Sequence, residues 1–406
     1  MTRLPELALL TEPETVALFA ALGEARLVGG VVRNALLGRA VSDIDVATPL
    51  VPPIVQQKLA AAGIKAVPTG IAHGTVTAVV NGKPFEVTTL RRDIETDGRR
   101  AVVAFTTDWA EDAQRRDFTM NALYADLAGT VYDSVGGVAD LHAGVVRFVG
   151  DPVSRVREDY LRILRLFRFH AWYGAGPLDA AALAAVAQEK RGLAKLSGER
   201  VAKEMLKLLE APNPVPVLVA MGEAGLLAQV MPGAPDIQRL KRLVAADGAA
   251  ALAADGLLRL AALLPRDRAL ALEVAVRWKL SNPASERLID LAGGADTITP
   301  YLSRDDVAAR LYKIGPDRFG DRVRLAWADA PQAFVQWRTF LAVAKDWQRP
   351  VFPLSGHQVM AAGVAKGPAV GKVLAEVEAW WVASGFPDDP LALQAAFRAA
   401  VAKVVG

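Results

Sequence analysis

Two regimes of hydrophobic patterning divide the chain near Val149. Before that point, short apolar runs alternate with turn signals. Apolar spacing predicts a helix over Leu10 to Leu22, a strand over Ala25 to Val28, and a second helix opening after Gly29-Gly30. The β-rich runs Ile44 to Ala47, Thr75 to Val80 and Phe85 to Leu90 predict strands. Asn81-Gly82 joins the last two as a hairpin turn, because both residues tolerate positive φ. The charged stretch Arg91 to Arg100, with Asp97-Gly98 inside it, reads as a mobile loop. Thr119 to Asp126 and Val131 to Asp133 return to sheet-like or mixed character. Beyond Val149 helical spacing runs to the end, broken by Pro and Gly stretches near 211–216, 231–235, 297–300 and 349–356. No unit repeats at a fixed period. The pattern therefore predicts an α+β head, a mixed sheet with helices, followed by an all-helical region.

At 406 residues the chain exceeds one ordinary core; domain sizes suggest roughly two to four domains. A hydrophobic fraction of 52% with 22% charged residues is that of a soluble globule. With no cysteine, disulfides and thiolate metal sites are excluded, which agrees with the expected cytoplasmic location. The opening MTRLPELALLTEPETVALFA sets acidic residues inside its apolar pattern and lacks the form of a signal peptide. No uncharged window is long enough to span a bilayer. The net charge of +3 mildly favours a polyanionic partner; no obligate protein partner is evident.

The strongest chemical signal is LVGGVVRNALLGRAVSDIDVATPL. Asp43 and Asp45 flank Ile44, and on a strand that spacing turns both carboxylates to one face. Two hard oxygen ligands side by side suit Mg²⁺, which keeps waters and shares its shell with substrate phosphates. Upstream, Gly29-Gly30 lets backbone approach a ligand at a helix start, and Arg33 adds a fixed positive charge one turn later. A lone Asp-x-Asp in a surface turn is common, but that reading leaves the Gly-Gly and the arginine unexplained. Further on, the Arg115-Arg116 pair can grip phosphate oxygens in bidentate fashion, while Asp117 and Asn121 can bond a ribose or hold Arg116. On a helix, Asp159, Arg162, Arg165 and Arg168 would form one ridge at steps of three. Taken alone, such a ridge is better read as a run of intrahelical ion pairs.

Together these segments resemble the nucleotidyltransferase superfamily that includes DNA polymerase β, and more closely the bacterial (class II) CCA-adding enzymes and poly(A) polymerases. Gly29 to Asp45 is similar to that family's G-G-x-V-R-D followed by D-x-D, with Asn34 where Asp is usual. Arg115 to Ala122 matches its R-R-D-F-T-x-N-A, and Glu158 to Arg162 its E-D-x-x-R. Asp133 to Leu141 resembles the Gly-containing hinge after the head, Gly198 to Glu204 a later motif at a helix start, and Gly363 to Leu374 the tail of bacterial members. Glu86 matches an acidic position common in the family, and a surface role explains it as well. The likeness touches most of the chain and is specific from about Leu27 to Phe169.

The resemblance implies a catalytic head over 1–147, a helical neck over 148–210 with the base-selecting motif, a helical body over 211–310 and a tRNA-binding tail over 311–406. It implies transfer from CTP and ATP onto a tRNA 3′-hydroxyl. Asp43 and Asp45 would be catalytic and hold Mg²⁺. Gly30, Arg33, Arg116, Asp117, Asn121, Asp159, Arg162, Arg165 and Arg168 would bind the nucleotide. Asp159 and Arg162 would select the base: cytosine and adenine both present an amino donor beside a ring-nitrogen acceptor, which a carboxylate and a guanidinium complement. Poly(A) polymerase and CC-only or A-only activities remain open. Pro68 to Thr77 with FEVTTLR favours the CCA-adding members, and an Arg91–Arg100 segment of full length argues against a CC-only one. A catalytically silent RNA-binding protein and a small-molecule nucleotidyltransferase are rivals of other classes. No histidine is followed by Asp, so the appended hydrolase of some relatives is not expected.

Overall fold

The structure, a computed structural model, describes residues 2–41, 43–71, 74–97, 100–294 and 298–405. The chain forms two compact units, residues 1–232 with 276–280, and residues 233–275 with 281–406.

In the first unit, helices α1 (Pro13–Leu22), α2 (Gly30–Leu36) and α3 (Pro52–Ala61) accompany a seven-stranded mixed sheet. Its strands are β1 (Arg26–Val28), β2 (Asp45–Thr48), β3 (Lys65–Gly70), β4 (Thr75–Val80), β5 (Lys83–Thr89), β8 (Leu123–Ala125) and β9 (Val131–Asp133), in the order β3-β4-β5-β2-β1-β8-β9. Only β2 and β5 pair in parallel; their register sets Asp45 opposite Glu86. The β4–β5 turn has Asn81 at φ 49° and Gly82 at φ 83°, the positive pair that a two-residue hairpin requires. Strand β3 leaves no mark in the hydrophobic pattern because it is an edge strand, contains Pro68, and has no fully buried residue.

The stretch expected as a mobile loop is instead backbone ladder. Strands β6 (Arg91–Asp97) and β7 (Arg100–Phe105) pair antiparallel from Arg91↔Phe105 to Asp97↔Arg100. Charge density misleads here, since a two-stranded ribbon needs no buried face to satisfy its backbone. Gly98 and Arg99 lie outside the described residues, as do Ser42 beside the carboxylate motif, Ala72 and His73 of the Pro68–Thr77 segment, and Thr297 of the 297–300 stretch.

Helices α4 (Trp109–Gln114) and α5 (Gly137–Ala143) precede the helical part of this unit, which holds α6 (Pro152–Glu158), α7 (Leu161–Tyr173), α8 (Ala180–Gln188) and α9 (Gly198–Leu209). In α7, Leu161, Ile163, Leu164, Leu166, Phe167 and Phe169 are buried. One part of the expected ridge is corrected. Asp159 is not on α7; it lies in extended backbone at φ −152° between α6 and α7 and accepts from the Leu161 N–H at 3.1 Å. A short side-chain acceptor competes with helix continuation at such a point.

The second unit is helical among its described residues, from Ile237–Ala249 to Pro390–Val405. One apolar cluster gathers Phe319, Trp327, Trp337 and Phe340, and another gathers Val359, Val373, Val377 and Ala400. No described helix is long and apolar enough to cross a membrane.

Candidate active site

A cavity of about 550 Å³ opens in the first unit. Its floor comes from the β1–α2 turn and the entry to β2. Gly29 holds φ 69°, and its carbonyl accepts from the Arg33 N–H at 3.0 Å, starting α2. A Cβ at Gly29 would stand 3.5 Å from the Asn121 carbonyl and 3.7 Å from Arg116. Asp43 and Asp45 both line the cavity, although only Asp45 belongs to β2; Asp43 sits in the bend before it.

Of the eleven residues singled out in the sequence, nine line this cavity: Gly30, Arg33, Asp43, Asp45, Arg116, Asp117, Asn121, Arg165 and Arg168. Asp159 and Arg162 do not. The Asp159 carboxylate accepts from Arg200 of α9 at 2.7 Å. Arg162 pairs with Glu158 and donates to the Arg155 and Arg115 carbonyls at 3.0 and 3.1 Å. That last bond nevertheless ties Arg162 to the segment that carries Arg116.

Burial pushes the Asp45 carboxyl up, and Glu86 and Asp43 push it further while Arg116 pulls it back. Carboxylates that repel each other in a half-buried pocket, with hard oxygen donors, suit a small divalent cation. Among the described residues no larger cluster of metal-ligating side chains occurs.

The basic side is built from buried pairs. Asp112 of α4 receives Arg116 through Nε at 3.2 Å and Nη2 at 2.9 Å, Arg115 at 2.7 Å, and the Tyr124 hydroxyl at 2.6 Å. Burial opposes its charge, yet Arg116 and Arg115 hold the Asp112 carboxyl down at about 2. Asp117 sits in the same balance. Arg165 donates to it through Nε at 2.7 Å, and Asn121 at 3.0 Å, and against burial these hold it at about 2. Arg168 pairs with the buried Glu204 of α9 at 3.1 Å. Arg33 donates instead to neutral acceptors, Asn34, Asn121 and the Tyr173 hydroxyl.

Sequence reading missed several of these parts. Asp112 and Glu204 hold the cavity's arginines, and Phe169, Trp172, Tyr173, Lys207 and Glu210 complete its wall. Asp112 had a visible signal, standing three and four residues before Arg115 and Arg116 at helical spacing. The Gly-containing hinge is a close-packed corner. Asp133 Oδ1 accepts from the Gly137 N–H at 2.9 Å, and a Cβ at Gly137 would lie 2.1 Å from the Thr119 carbonyl. Thr119 belongs to the Arg115–Ala122 motif, so this glycine fixes the motif from behind.

Known proteins share this organisation. The Poly A polymerase head domain family matches residues 25–147, and the family described as "Probable RNA and SrmB- binding site of polymerase A" matches residues 177–237. The CCA tRNA nucleotidyltransferase 1, mitochondrial, of Danio rerio is 33% identical over 387 residues, covering 89% of this chain and 84% of that protein. The CCA-adding enzyme of Levilactobacillus brevis is 31% identical over 408 residues, covering 98% and 99%. The crystal structure of the Bacillus stearothermophilus CCA-adding enzyme in complex with CTP superposes with a TM-score of 0.72 at 29% identity, covering 92% of this chain and 94% of that one.

Proposed function

This chain belongs to the family of CCA-adding enzymes, or CCA tRNA nucleotidyltransferases, and from that premise we propose that it adds C, C and A to the 3′ end of tRNA using CTP and ATP, without a nucleic-acid template. The observation that carries the reading is the single cavity in which Asp43 and Asp45 face Arg33, Arg116, Arg165 and Arg168. A polyanionic substrate with a reacting phosphorus needs both halves. The arginines neutralise triphosphate charge, and Asp43 and Asp45 hold Mg²⁺. When bound, the metal supplies activation of the attacking hydroxyl and stabilisation of the pyrophosphate leaving group. Asp117 and Asn121 fix Arg165 and Arg33 and present polar edges to the ribose.

Base selection falls to Asp159 and Arg162. Both are engaged by Arg200 and Glu158, so a nucleotide base reaching them exchanges partners rather than meeting free groups. The head spans 1–147, the neck 148–210, the body 211–310 and the tRNA-binding tail 311–406, and the enzyme works in the cytoplasm. The deciding experiment sequences the products from tRNA ending before, within and after CC, with each nucleotide supplied alone and together. Addition of C, C and A in that order is expected. A homopolymeric A tail would instead make the chain a poly(A) polymerase, and arrest after CC or failure to add C would make it a partial enzyme.

A further inference from the structure

Helix α9 carries two side chains that reach the nucleotide-facing groups. Arg200 donates to Asp159 Oδ2 at 2.7 Å, and the buried Glu204 pairs with Arg168 at 3.1 Å. The other Asp159 oxygen accepts from the Leu161 N–H at 3.1 Å. Asp159 is thus held on one side by its own chain and on the other by α9. The chain side is close-packed, since the next residue, Tyr160, rests on Gly192, where a Cβ would lie 1.9 Å from the ring.

The start of α9 is fixed by a segment far along the chain. Val276–Leu280 belongs to the first unit although its flanks do not. Trp278 is fully buried and its Nε1 donates to the Val230 carbonyl at 2.8 Å, while Arg277 donates to the Gln229 carbonyl. Lys279, at φ 50°, turns the chain and donates to Glu199 in the first turn of α9 at 2.8 Å. The Arg277 carbonyl lies against Gly198, the first residue of α9, where a Cβ would stand 2.0 Å from that oxygen. No L side chain fits, so the helix start sits directly on backbone.

We propose that Val276–Leu280 is a seat for α9, and that Gly198, Trp278 and Arg200 are positioning residues that set the Asp159 carboxylate for base selection. The proposal rests on the base-selecting reading of Asp159 given above. Arg200 stands two residues from the seated glycine, so a displacement of the helix start passes to its side chain. Asp159, in extended backbone between α6 and α7, follows its partner. Base readout by hydrogen bonds needs placement to within about 0.5 Å. Glu204 lies one turn beyond Arg200 and is buried against Arg168, so it moves less. A shift at Gly198 therefore alters choice of base more than grip on the triphosphate.

The test measures CTP and UTP incorporation on tRNA lacking CCA, using full-length Gly198→Ala, Arg200→Ala, Asp159→Ala and the Gly198→Ala/Arg200→Ala double variant. Gly198→Ala is expected to lower the preference for CTP over UTP about tenfold, the scale of one displaced base contact, while KM for CTP changes by less than about threefold. Without Arg200 the seat has nothing to act through, so the double variant should discriminate as Arg200→Ala alone does. Unchanged preference in Gly198→Ala or Arg200→Ala, additive losses in the double variant, or a KM rise matching the lost preference would overturn the seat. Should thermal melting show that Gly198→Ala does not fold, Trp278→Phe takes its place, keeping an aromatic ring and losing the bond to Val230. A preference lowered about threefold then supports the proposal, and an unchanged one overturns it. Unchanged preference in Asp159→Ala would sink the base-selecting reading and the seat with it, whereas preference lost in Asp159→Ala but kept in Gly198→Ala would sink the seat alone.

Discussion

Asp112 and Arg116 stand four residues apart and meet through two hydrogen bonds in the interior, with the Asp112 side chain 1% exposed. Asp112 does not line the cavity, yet Arg115, Arg116, Tyr124 and the Arg91 backbone N–H all converge on it. Through that one carboxylate, the start of the β6–β7 hairpin and the Arg115–Ala122 motif share an anchor.

Replacing Asp112 with Asn should therefore act on stability and pH dependence together. Breaking a buried pair leaves uncompensated guanidinium charge, at a cost of about 3 kcal/mol or more. The folded-state pKa of Asp112 is depressed to about 2 from 3.8, so its contribution is complete above 3.8 and is lost as pH falls toward 2. Asp117 titrates in the same window. Denaturant melts between pH 2 and 5 are expected to show a shallower acid loss in the variant than in wild type. Equal slopes would mean that Asp112 is not the titrating anchor.

Asp45 carries the opposite sign. Its pKa is raised by burial and by Glu86 and Asp43, so without metal the ionised carboxylate opposes folding at neutral pH. Asp45→Asn should melt at or above the wild-type temperature in chelator while losing transfer activity. Added Mg²⁺ should raise the wild-type melting temperature and leave the variant unmoved. The companion Asp43→Ala and Asp45→Ala variants should retain fold and tRNA binding without turnover. Near-normal turnover in either, with Mg²⁺ as the metal, would remove these residues from catalysis.

Asp159→Ala and Arg162→Ala should relax base choice more than they weaken triphosphate binding. Each lost base-edge contact removes about 1–3 kcal/mol of discrimination, by analogy with bidentate base readout. The competing outcome is read from the pairs they already make: if Asp159 serves only Arg200 and Arg162 only Glu158, the variants lose some stability and still reject UTP and GTP. Single-variant incorporation of all four nucleotides distinguishes the two.

The β6–β7 ribbon offers a test on the order of addition. Shortening 92–100 by whole residue pairs, so that the ladder register survives, should leave both C additions nearly intact and strongly impair the terminal A. A pocket serving a pyrimidine and then a purine needs a part that moves, and a ribbon outside the main sheet is the element least bound by it. Gel analysis of products from tRNA ending in C and in CC gives the answer. Equal loss of C and A addition would assign the ribbon to folding or general binding.

Much of this protein is legible in the chain itself. The Thr75–Val80 strand, the Asn81-Gly82 turn and the change to helices after Val149 follow from local spacing and backbone preference, which act over a few residues. The short motifs and the helical spacing after them also declared nine of the residues that share the cavity, because residues that act together there stand close along the chain within each segment. Tertiary structure decided the rest. The partner of Asp159 is Arg200, forty-one residues away, and the partner of Arg168 is Glu204 on another helix. Arg33 finds one of its acceptors in the Tyr173 hydroxyl, 140 positions along the chain. Pairing energies of this kind are set by distance and burial in space, which local sequence preference does not encode.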